Sequence, residues 1–399
     1  MKVLNWKLVF TTLLFCPIFI SVGTGNIGLD RVGEFSYGGY LFTLPISFFI
    51  AVFFLVSSWK AVLSNKYIFL FLLYSVFIFV VNAIYNMGVN YSIIKILLWM
   101  NVFIMMIYVF KKWFEKIIIT DRSYNGVLYL NKVENRYVYY PLFAVLLLSL
   151  VSYFYIGKYA FVVSEVKIYN FEQYFSFIFV ILASVSFKNK FFLICIVFPS
   201  TLFLSVVSSN ITALFLLMFL SVFGVVNMLV SKKFKVVYFF IITSTVVFFL
   251  LWPMALYFLY DDILVLRSSN SLVSRYDMIN GYFSNIYWYQ IIFPFFSDSR
   301  SVSSDMHNEL LEVFNATGFL GVFFYYYFIL KNIVNYTDRY RMIGISIVLV
   351  IFLAGVTVEN TLHPYLLIIL AYVISFYNVM SRCVESVEIN KIYTRCIEN

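Results

Sequence analysis

Val236-Val237-Tyr238-Phe239-Phe240-Ile241-Ile242-Thr243-Ser244-Thr245-Val246-Val247-Phe248-Phe249-Leu250-Leu251-Trp252-Pro253-Met254-Ala255-Leu256-Tyr257 is an apolar run without a single charged residue. A helix needs about 20 such residues to cross a hydrocarbon layer of ~30 Å. Within lipid the backbone must bond to itself, so an isolated apolar run of this length is read as a helix. Three lysines, Lys232, Lys233 and Lys235, stand immediately before it, and a polar stretch, 258–309, follows.

The same pattern repeats outward in both directions. Twelve spans are predicted at 8–22, 41–57, 67–84, 92–110, 139–157, 171–187, 191–207, 211–230, 236–257, 310–330, 342–358 and 364–380. Only Ser208-Ser209-Asn210 divides the pair within 191–230. Composition agrees: of 399 residues 63% are hydrophobic and 12% charged, with a mean hydropathy of +0.93. A soluble domain carries about one quarter charged residues. A membrane barrel would show short alternating strands in place of these runs. No polar stretch exceeds 258–309, so the expectation is one all-α polytopic membrane domain over 1–399 without a soluble domain.

Lys and Arg in the loops orient such a chain. With both termini inside, 21 of the 28 basic residues fall inside. Six fall outside (Arg31, Lys158, Lys167, Arg267, Arg275 and Arg300), and Lys95 lies within a span near its outer end, placed to snorkel. Most of the +9 net charge is then this bias and not a nucleic-acid signal. The start of the chain, with Lys2, Lys7, an apolar run and Ser21-Val22-Gly23, resembles a signal peptide, but the alternation of later spans makes it an uncleaved first span. Cys16 and Cys195 fall in spans, and Cys383 and Cys396 in the inner tail. No disulfide, zinc-type spacing or outer-face catalytic thiol is therefore expected, and no metal or other cofactor is implied. Gly23-Thr24-Gly25-Asn26-Ile27-Gly28 has glycine-rich spacing but no βαβ context, which excludes a dinucleotide site.

Polar chemistry gathers at the outer face. Both histidines, His307 and His363, are assigned there, and loop 258–309 holds Arg267, Arg275, Arg300 and His307 together with six acids. Within that loop, Leu272, Tyr276, Ile279, Phe283 and Ile286 recur at steps of three and four, so 272–293 reads as a helix lying in the interface. Ser274, Asp277, Gly281, Ser284 and Trp288 form another face, with Arg275 at the flank. Arg275 reads equally as a headgroup-depth contact or as a snorkelling anchor. A helix is expected to begin near Asp305, an N-cap residue type, with His307 in its first turn. The field of a helix start attracts anions and disfavours protonated imidazole. A neutral histidine beside a phosphate is suited to act as a general base. By itself, His307 reads first as a helix-start histidine bonded to backbone or water. Leu311, Phe314, Gly318 and Gly321 follow on one side, the glycines suggesting close approach by another helix or a lipid chain. A second outer cluster, Glu359-Asn360-Thr361-Leu362-His363-Pro364, sets Glu359 and His363 four apart, and a capped loop accounts for it as simply.

The stretch from Arg275 through Trp288 and Ile292-Phe293-Pro294 to His307-Asn308-x-x-Leu311-x-x-x-x-x-x-Gly318-x-x-Gly321 resembles the bacterial O-antigen polymerase and O-antigen ligase group of membrane glycosyltransferases. Two features depart from that group. Phe295-Phe296-Ser297-Asp298 stands where many relatives have a glycine turn, and Ser209-Asn210 where many have Ser-Arg. The resemblance implies an active site at the periplasmic face of the bacterial inner membrane. It implies undecaprenyl-pyrophosphate-linked oligosaccharides as substrates, and a flippase and a chain-length regulator of the same pathway as partners. His307 and Arg275 become the expected catalytic residues, and Asn308, Arg267, Arg300, Glu359 and His363 the expected substrate contacts. Polymerase is the first expectation and ligase onto lipid A-core the second. A lipid-linked oligosaccharide flippase is the rival of another class, but such a transporter should carry charged or broken-helix positions along its centre.

Overall fold

The computed structural model describes residues 59–60, 63–85, 91–120, 133–142, 180–181, 211–229, 234–258, 277, 279–281, 283–284, 308–356 and 364–398. Among these the chain is helical and contains no strand. The elements are α1 (Lys66–Tyr85), α2 (Tyr91–Thr120), a π-turn (Asn135–Tyr139), α3 (Ile211–Leu229), α4 (Phe234–Phe258) and α5 (Glu309–Ile333). A composite segment follows: a 3-10 turn (Asp338–Tyr340), α6 (Arg341–Val348), a π-turn (Leu349–Leu353) and a 3-10 turn (Ala354–Val356). α7 (Pro364–Glu398) closes the described chain.

Among the described residues, six segments are long and apolar enough to cross a membrane: Lys66–Ile84, Ile96–Ile118, Lys235–Ala255, Glu309–Ile333, Asp338–Val356 and Leu366–Glu385. They match the spans predicted at 67–84, 92–110, 236–257, 310–330, 342–358 and 364–380, and α3 occupies the position of 211–230. Spans 8–22, 41–57 and 191–207 lie outside the described residues, as do most of 139–157 and 171–187. Over its described residues the protein is thus all-helical and of the membrane type.

Two helix ends run further than the apolar runs do. α2 continues to Thr120 and α7 to Glu398, where loop and tail were expected from 111 and 381. Lys and Glu are good helix formers, and charge ends a span without ending a helix. Lys112 and Glu115, three apart on α2, pair at 3.2 Å and support the extension.

Burial divides the helices into two kinds. Only 28% of the spans of α1 and α4 is buried, against 89% of Asp338–Val356 and Leu366–Glu385. All four are apolar over most of their length, so the exposed apolar faces of the first two suit lipid and the last two form the protein core. α7 lies along α2. Phe114 meets Tyr372 and Phe376 edge-on at 5.0 Å, and the Ser375 hydroxyl donates to the Ile107 carbonyl at 2.8 Å. On its other flanks α2 meets α5 through Phe103 and Tyr325, and α1 through an Asn101 amide donating to Ser75 Oγ at 2.8 Å. Such small polar bridges hold helices together where burying apolar surface gains little.

The alternation of spans also places chain ends together. The start of α1, the end of α2, the start of α4, the end of α5 and the 334–341 connection all border one cavity. α7 joins them through Asn378, Arg382, Val384 and Glu385. Every basic residue in that lining belongs to the set assigned inside from sequence.

Candidate functional site

At the other end of α5, the helix starts one turn later than expected. Asn308, not Asp305, is the N-cap, with an extended backbone of φ −142° and ψ 110°. Its Oδ1 accepts from the Leu311 N–H at 3.1 Å, and its carbonyl accepts from Glu312 N–H at 3.1 Å. An asparagine cap satisfies a helix-start donor that would otherwise be orphaned. The amide nitrogen donates to the Val356 carbonyl at 3.2 Å. Asn308 therefore ties the start of α5 to the end of the neighbouring composite segment, and it is only 1% exposed. The expected helix start near Asp305 is corrected accordingly: the helix begins after Asn308, because that side chain completes the first turn from its own cap position, while His307 itself lies outside the described residues.

Two carboxylates follow at once. Glu309 and Glu312 occupy the first turn of α5, where the helix dipole favours negative charge, and both are buried. The Tyr326 hydroxyl donates to Glu309 Oε1 at 3.2 Å. Beneath it, Phe249, Phe352 and Tyr326 form an aromatic triangle with centroids 5.3–5.4 Å apart. Gly355 leaves the room this needs, since a Cβ there would lie 3.2 Å from the Phe249 ring and 3.4 Å from Glu309 Oε2.

The glycines do more than the sequence reading gave them. Gly318 has φ 63° and ψ −174°, a conformation L-residues avoid, and α5 kinks there. The Thr317 carbonyl accepts from the Tyr74 hydroxyl of α1 at 2.5 Å, and Thr317 Oγ1 donates to Val313 O at 2.6 Å. The bend carries Thr317 over Gly321, where an added Cβ would sit 2.2 Å from Thr317 Cβ. Close approach is thus made within α5 by its own kink and, as expected, by a neighbouring helix, since Tyr74 of α1 reaches the Thr317 carbonyl there.

Among the expected site residues, only Asn308 is described. His307, Arg275, Arg267, Arg300, Glu359 and His363 lie outside the described residues. In the interfacial stretch, Asp277, Ile279–Gly281, Phe283 and Ser284 are helical. Ile279 is buried and Phe283 packs 5.5 Å from Tyr257 of α4, while Asp277 and Ser284 are exposed; the rest of 272–293 lies outside the described residues. Sequence reasoning did not single out Glu309, Glu312 or Tyr326. The available signal was a pair of acids, three apart, entering an apolar run directly after His-Asn. Comparison with family models, with curated proteins and with solved structures finds no match for this chain.

Proposed function

We propose that the protein is a glycosyltransferase of the bacterial inner membrane. In this reading it polymerises surface polysaccharide from undecaprenyl-pyrophosphate-linked repeat units at the periplasmic face. The observation that carries the reading is the stretch His307-Asn308-x-x-Leu311, with Gly318 and Gly321 spaced behind it and Arg275 upstream. Each described member of that pattern has a physical role in one local unit. Asn308 caps, Leu311 supplies the capped N–H and is buried, Gly318 bends, and Gly321 clears Thr317. The unit holds its first residues firmly, which is what a base joined by one peptide bond to Asn308 requires.

In the reaction, a hydroxyl of the acceptor unit attacks the anomeric carbon of the sugar bonded to the donor's pyrophosphate. The new glycosidic C–O bond forms as the bond to pyrophosphate breaks, and undecaprenyl pyrophosphate leaves. His307 takes the hydroxyl proton, a service generally worth about 10²–10⁴-fold in rate. Arg275, with Arg267 and Arg300 in support, offers planar donors to the departing pyrophosphate. Glu359 and His363 contact the sugars. No nucleotide is required, because the leaving group is already attached to the lipid.

The test is His307→Ala in the producing cell, with membrane insertion checked by immunoblot. The expected outcome is normal insertion with surface glycan stopped at a single repeat unit. Bare core instead would mark a ligase, and polymer of ordinary length would remove His307 from the chemistry.

A further inference from the structure

Basic residues at the inner ends of spans ordinarily snorkel outward to water and headgroups. Here they ring a cavity of about 980 Å³, roughly 35 Å along α5 from Asn308. Seven Lys and Arg side chains line it against three acids. Some of that charge is already answered. Lys112 and Arg382 share Glu115 at 3.2 and 3.3 Å, Arg339 pairs with Glu134 at 3.5 Å, and Arg341 pairs with Asp338. Lys111, Lys235 and Lys331 have no ion pair among the described residues.

Arg341 points the same way from a separate observation. It is only 7% exposed, and its Nε has no hydrogen-bond acceptor. A guanidinium carries five donors in a fixed plane, and leaving one unfilled in a buried place is costly. Aromatic faces hold two of the cations in position: Lys331 Nζ stands 4.2 Å from the Tyr67 ring centre, and Arg341 stands 6.0 Å from that of Tyr238. Tyr67 and Phe239 line the cavity and are also exposed on the apolar surface of α1 and α4, so the wall continues onto the side that suits lipid.

We propose that this cavity binds a phosphate-bearing anion of about the size of a phospholipid headgroup. Surplus positive charge, a buried guanidinium with an unfilled donor and an apolar flank are the features that hold such a group between membrane helices. The site is separate from the Asn308 end and does not depend on the glycosyltransferase reading.

The test uses the full purified chain in vesicles of phosphatidylcholine, with or without phosphatidylglycerol. Native mass spectrometry counts the lipids retained after release. Lys111→Gln with Lys331→Gln removes two cavity cations. Lys66→Gln with Lys116→Gln removes the same charge from exposed positions outside the lining. Each cation near an acidic headgroup is worth about fivefold in affinity, so the cavity pair should weaken phosphatidylglycerol retention about 25-fold and the outer pair should leave it nearly unchanged. A second arm adds inorganic pyrophosphate to the detergent-solubilised protein. Cavity-dependent retention of phosphatidylglycerol assigns the phosphate to lipid, whereas cavity-dependent binding of pyrophosphate alone assigns it to a soluble compound. Equal retention of both lipids with no pyrophosphate binding, or equal loss in the two variant pairs, overturns the proposal.

Discussion

The two ends of α5 handle polar groups in opposite ways. At the Asn308 end, the described polar groups meet one another in a tight, buried arrangement: cap to Leu311, amide to Val356, phenol to Glu309. At the Lys331 end, charge outnumbers its partners and surrounds open space. One helix thus links a packed start to a hollow finish. The packed end can hold a neighbouring residue still, as chemistry at a bond requires. The hollow end has room and charge for something that comes from outside the chain. Substitutions at the first should therefore cost stability, and at the second should alter binding and little else.

The largest effect is expected at Gly321. Overpacking usually costs about 1–3 kcal/mol, and a valine here overlaps the Thr317 side chain outright, so Gly321→Val should exceed that range. Thermal unfolding in detergent should show it as a loss of most folded protein. Partial recovery on adding Thr317→Gly would tie the cost to that one contact.

Asn308→Ala comes next. It removes a cap and leaves the Val356 carbonyl without its donor, for about 1–2 kcal/mol of stability. Asn308→Asp keeps the acceptor and should lose less, which a comparison of melting midpoints would resolve.

The smallest effect belongs to the hollow end. Lys331→Gln removes one charge from a cavity rim and should change stability by no more than about 0.5 kcal/mol. A destabilisation as large as that of Asn308→Ala would erase the contrast between the two ends.

Much of this was legible in the sequence, for identifiable reasons. Spans were readable because lipid imposes one length and one composition: 67–84 became Lys66–Tyr85, and 236–257 became Phe234–Phe258. Helix ends were less so. Apolar content marks where a span stops, but α2 and α7 continue through Lys, Glu and Arg that hydropathy cannot distinguish from loop. The cap was misplaced from Asn308 to Asp305 because both are capping types, and only the Val356 carbonyl, 48 residues away in sequence, decides between them. The glycines were noticed as a place of close approach, but the kink was not, because a positive φ at Gly318 leaves no periodic trace. The π-turn at Leu349–Leu353, which packs against α4, likewise has no local signature. Of the site, the pattern from His307 to Gly321 was visible as residues in order, whereas the burial of Glu309 beneath Tyr326 depends on α5 folding over an aromatic base supplied by α4 and the composite segment.

The most direct measurement is elongation with purified components. The protein, reconstituted in liposomes, is given undecaprenyl-pyrophosphate-linked repeat units and no nucleotide sugar. The account predicts glycans of two or more repeats on lipid, release of free undecaprenyl pyrophosphate in step with each linkage, and neither product with His307→Ala. Movement of intact units across the bilayer without any new linkage would contradict it.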